Sequence, residues 1–60
     1  MTLEQYRHHV ADLEKNVERC RRLYEQTRSD LHRGMLKDAQ ERAYYARNYL
    51  KRREKKEARA

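Results

Sequence analysis

Apolar and half-apolar residues return at alternating steps of three and four from Leu3 to Leu31: Leu3, Tyr6, Val10, Leu13, Val17, Cys20, Tyr24, Thr27 and Leu31. That rhythm puts them on one stripe of a helix, and such a stripe is stable only against another helix. In heptad terms Leu3, Val10, Val17, Tyr24 and Leu31 hold the a positions, and Tyr6, Leu13, Cys20 and Thr27 the d positions. Leu23 sits beside the seam and widens it. Cys20 and Thr27 weaken its second half, which therefore needs support from elsewhere.

Thr2 followed by Gln5 makes a capping box, with Met1 and Tyr6 placed as its hydrophobic staple. Helix one is expected over about residues 2–32. Gly34 is the only glycine, preceded by His32 and Arg33 and followed by Asp38 and Glu41 in capping-box spacing. These cues read as stop, loop over about 33–37, and a second helix over about 38–58. The expected fold is therefore all-α: one domain over residues 1–60, an antiparallel two-helix hairpin with a long first helix and a shorter second. The alternative is one continuous helix in a coiled coil. Leu31, Met35, Ala39 and Ala43 are spaced by four, as in a stutter, and glycine inside a helix costs only about 1 kcal/mol.

The second helix presents Met35, Ala39, Ala43, Ala46 and Leu50 as an inner stripe. Folded back as a shorter arm, it leaves Leu3, Tyr6 and Val10 uncovered at the far end of helix one. An uncovered seam invites a second copy, so homodimerisation through Leu3, Tyr6, Val10, Leu13, Val17, Cys20, Tyr24 and Leu31 is expected.

Composition points the same way. The chain has six Leu, two Val, two Met, five Tyr and no Ile, Phe, Trp or Pro, while 43% of its residues are charged. A domain this small with so little apolar volume needs a staple. Cys20 is the lone cysteine, so an internal disulfide is excluded and self-association or a partner remains. A single thiol fits a reducing compartment, and no apolar run is long enough for a signal peptide or a membrane span. A cytoplasmic protein is expected.

Charge is the one signal that points to a ligand. Residues 1–34 carry a net +1 and residues 35–60 a net +5. At 100° per residue Lys37, Tyr44, Arg47, Asn48, Lys51, Lys55 and Arg59 share one broad face of helix two, with Arg52 at its border and Glu41 intruding. Such a face neutralises phosphates and gains from counterion release. Tyr44 has the chemistry to stack on a base, and Asn48 to reach a base edge. The plainer reading is a solvated helix end whose cations complement the helix dipole.

Other chemistry is poorly supported. Glu4, His8 and Asp12 follow one another by four, a spacing that a divalent ion tolerates, but one His between acids is ordinarily a solvated face. Cys20 at d reads as a small core hydrophobe, with only arginines and no base beside it. No catalytic constellation, cofactor motif or metal site is recognisable. Two functions remain. One is a regulatory RNA- or DNA-binding dimer that uses the basic face of helix two. The other is a protein-interaction module (a small chaperone, adaptor or inhibitor) whose Leu3, Tyr6, Val10 and Leu13 take a partner helix.

Overall fold

The structure, a computed structural model, describes residues 1–59, and for Arg59 the backbone only. It consists of α1, Leu3–Thr27, and α2, Asp30–Arg59, packed antiparallel as a hairpin. The continuous rod is thereby excluded. The Cα envelope is a slender 48 × 14 × 14 Å.

The capping box at the start of α1 forms as its residues predict. The Thr2 hydroxyl accepts the Gln5 N–H at 3.1 Å, and the Gln5 side-chain oxygen accepts the Thr2 N–H at 2.9 Å. Two of the orphan donors of the first turn are satisfied this way.

The reversal lies at Arg28–Ser29, not at 33–37. Arg28 adopts φ 52° and ψ 23°, the left-handed conformation that commonly ends a helix, and its N–H donates to the Tyr24 carbonyl at 2.7 Å. Ser29 then caps α2: its hydroxyl accepts the His32 N–H at 3.2 Å, and its carbonyl accepts the Arg33 N–H at 3.0 Å. Asp30 adds an acid in the first turn. A hydroxyl cap followed by an acid outweighs a glycine, because the cap satisfies a backbone donor whereas Gly34 merely lacks a side chain. Gly34 consequently lies inside α2, and an added Cβ there would meet nothing within 4 Å.

Moving the turn changes what faces what. The second helix is the longer, with 30 residues against 25, so the expected order of lengths is reversed. Its inner stripe is Leu36, Ala39, Ala43, Ala46, Leu50 and Arg53, all buried or half-buried and spaced three and four in alternation. Met35, expected on that stripe, is 43% exposed, and Leu36 takes the inward place because it keeps the heptad in phase. Leu31, expected on the α1 seam, belongs to α2 and is 72% exposed. Thr27 closes α1 exposed, its hydroxyl donating to the Leu23 carbonyl at 2.9 Å.

The core is made of small groups. Val10, Cys20, Ala39, Ala43 and Ala46 are buried, and among the described residues no large side chain is fully enclosed. Leu3, Tyr6, Leu13, Val17, Leu23 and Tyr24 are half-buried along the same seam. Two ion pairs report the register: Arg7 with Glu54 at 3.5 Å and Glu14 with Arg47 at 3.7 Å, one heptad forward on α1 answering one heptad back on α2. These pairs are about half exposed, so they mark the alignment more than they hold it. The longer α2 reaches the first turns of α1, and Val10 is buried under it. The overhang inferred from a short second helix is absent for that reason.

Candidate nucleic-acid interface

α2 carries every residue of the expected basic face, and its continuous helix spaces them. Lys37, Tyr44, Arg47, Lys51, Arg52 and Lys55 are exposed, and Asn48 is half-buried. The side chain of Arg59 lies outside the described residues.

The structure divides this set. Lys37, Tyr44 and Arg47 line an open groove between the helices, together with Glu14, Glu18 and Arg21 of α1. Acids therefore face the cations in that groove, and Arg47 is already engaged with Glu14 at 3.7 Å. Arg52 borders the opposite groove, beside Tyr6, His9, Leu13, Tyr45 and Tyr49. Lys51 and Lys55 stand one turn apart, about 6 Å along the axis.

The carboxylates of α2 are spent mainly on other cations. Asp38 pairs with Arg42 at 3.1 Å, Glu57 with Arg53 at 3.6 Å, and Glu54 reaches across to Arg7 at 3.5 Å. Among the described residues, Lys37, Lys51, Arg52 and Lys55 have no carboxylate within 4 Å. Tyr44 is 56% exposed, and its ring meets Tyr45 edge-on with centroids 5.6 Å apart.

The expected dimer seam is otherwise occupied. Val10 and Cys20 are 6% and 4% exposed, covered within the hairpin. Cys20 is a free thiol in that core. Leu3, Tyr6, Leu13, Val17 and Tyr24 are half-buried there too, and only Leu31 stands free, on the other helix.

A feature the sequence reading passed over is a second row on α2. Leu31, Met35, Tyr45 and Tyr49 are all exposed and keep to one stripe by steps of three and four. Its heptad phase was visible but was obscured by the charged Asp38, Arg42 and Arg52 that share it.

Among the described residues no group of three His, Cys, Asp or Glu is close enough to hold a metal ion, and no helix is long and apolar enough to cross a membrane. No family model matches the chain, and neither a curated protein nor a solved structure shows significant similarity to it.

Proposed function

We propose that this chain is a non-catalytic, regulatory nucleic-acid-binding protein that acts as a cytoplasmic homodimer and holds phosphate along the outer side of α2. One observation carries the reading: among the described residues Lys37, Lys51, Arg52 and Lys55 have no carboxylate within 4 Å, while Asp38, Glu54 and Glu57 are paired with other cations. All four side chains are exposed, so their charge is presented to solvent. Tyr44 offers an exposed ring and a hydroxyl, and Asn48 an amide, for a modest preference among bases. The buried free thiol Cys20 supports a reducing compartment. Val10 is buried under α2, so a partner helix laid on Leu3, Tyr6, Val10 and Leu13 would have to displace α2 there, which favours the nucleic-acid reading over the chaperone or adaptor one.

The test is titration of labelled single-stranded RNA and duplex DNA with the full chain from about 50 to 200 mM salt. With roughly four phosphates neutralised, duplex affinity should fall by roughly 10²-fold across that range. Binding that ignores salt, or no binding at the lowest salt, rejects the proposal.

A further inference from the structure

Among the described residues, four of the six exposed large apolar side chains lie on one side of α2, Met1 and Tyr44 being the others. Leu31 is 72% exposed, Met35 43%, Tyr45 69% and Tyr49 48%. They share a stripe separate from the one that meets α1. Tyr45 and Tyr49 continue across an open groove to Tyr6 and Leu13 of α1, so the apolar strip is two helices wide.

The exposed area says how much covering this shape invites. The chain exposes 5224 Å² for a mass of 7.5 kDa. A compact monomer of that mass would expose about 4,200 Å². The excess is about 1,000 Å², slightly more than the roughly 800 Å² that each partner buries in a standard protein–protein interface. A two-helix layer has no second layer to hide this surface, and one further copy would supply it.

Charge then sets the orientation. Asp38 and Arg42 lie on the same stripe, between Met35 and Tyr45, and pair with each other at 3.1 Å. Two copies packed with their turns at the same end would set Asp38 beside Asp38 and Arg42 beside Arg42. With turns at opposite ends, the strips overlap with Leu31 against Tyr49 and Met35 against Tyr45, and each Asp38 approaches the Arg42 position of the other copy. Like charges opposed across an interface are costly, and unlike charges fix its register.

The geometry points to a homodimer in which the Leu31–Met35–Tyr45–Tyr49 strip of one hairpin packs on that of a second copy about a two-fold axis, with the two α2 helices antiparallel. The strip replaces the α1 seam as the dimer surface. This inference rests on the dimeric part of the proposed function and is independent of phosphate binding.

Sedimentation velocity of the full chain, without nucleic acid, tests it over about 1–200 µM. The expected result is a concentration-dependent shift toward twice the 7.5 kDa chain mass. The double variant Tyr45→Glu, Tyr49→Glu should remain monomeric across the range. Because that variant also touches the Tyr6 contact, a charge exchange at exposed positions supplies the second arm. Asp38→Arg and Arg42→Asp should each weaken the dimer at least threefold, and the two together should restore it to within about twofold of the parent. A chain that stays monomeric at 200 µM overturns the inference. So does a dimer indifferent to the tyrosine substitutions, or one that the charge exchange fails to rescue. Lys51→Glu with Lys55→Glu should leave the dimer intact while reducing phosphate binding, which separates failure of one idea from failure of the other.

Discussion

The rings of Tyr6 and Tyr49 lie with centroids 4.9 Å apart and planes at 56°, tying the second turn of α1 to the far half of α2. Their sequence separation makes this a contact between opposite ends of the chain, and it closes the end of the hairpin away from the turn. Tilted aromatic pairs of this kind are worth about 0.5–1.5 kcal/mol beyond the area they bury. A double-mutant cycle with Tyr6→Leu and Tyr49→Leu should therefore give a coupling of about 1 kcal/mol. Thermal unfolding followed by circular dichroism at one low chain concentration would measure it. Additive losses would mean that the rings merely cover the helices separately.

Gly34→Ala should stabilise the hairpin by about 1 kcal/mol, since the position is interior to α2 and the new methyl meets open space. In a chain of this size that corresponds to a rise in Tm of about 4–8 °C. A fall in Tm would place a chain reversal near residue 34 after all.

The turn answers to two substitutions of opposite sign. Ser29→Ala removes the oxygen that accepts the His32 N–H, and should cost about 1 kcal/mol. Arg28→Gly relieves a left-handed residue by about 1 kcal/mol, less roughly 0.5 kcal/mol for the guanidinium lying 5.4 Å over the Tyr24 ring. The net should be a small gain in denaturant midpoint with an unchanged slope.

The free and engaged cations should behave differently toward nucleic acid. Lys55→Ala should lower the slope of log affinity against log salt by about one unit on duplex DNA. Arg47→Ala should change it less, because that guanidinium already faces Glu14. Equal effects would show that the Glu14 pair opens when phosphate arrives.

The sequence revealed the start and seam of α1 well, because one capping box and one stripe agree there, but its end, expected near 32, falls at Thr27. Its partner was harder. The register Leu36, Ala39, Ala43, Ala46 and Leu50 competes with a nearly equivalent one through Met35, and alanines carry little periodic signal. The turn was misplaced because Gly34 is conspicuous while the Ser29–Asp30 cap is not. Side-chain oxygens that satisfy backbone donors matter more at a helix start than a missing Cβ, and that comparison was available from the residues alone. The division of the basic face between two grooves was not available, since it depends on where α1 lies. The pairing of Glu54 with Arg7 likewise became visible only with both helices in place.

Ala39, Ala43 and Ala46 are 4%, 2% and 7% exposed. Their methyl groups act as a gauge that sets how near the two rods run. Thickening any one of them would push the two backbones apart around it. The outward positions are under no such restraint, so the chain can exchange its surface chemistry freely while its width is held by three of its smallest side chains.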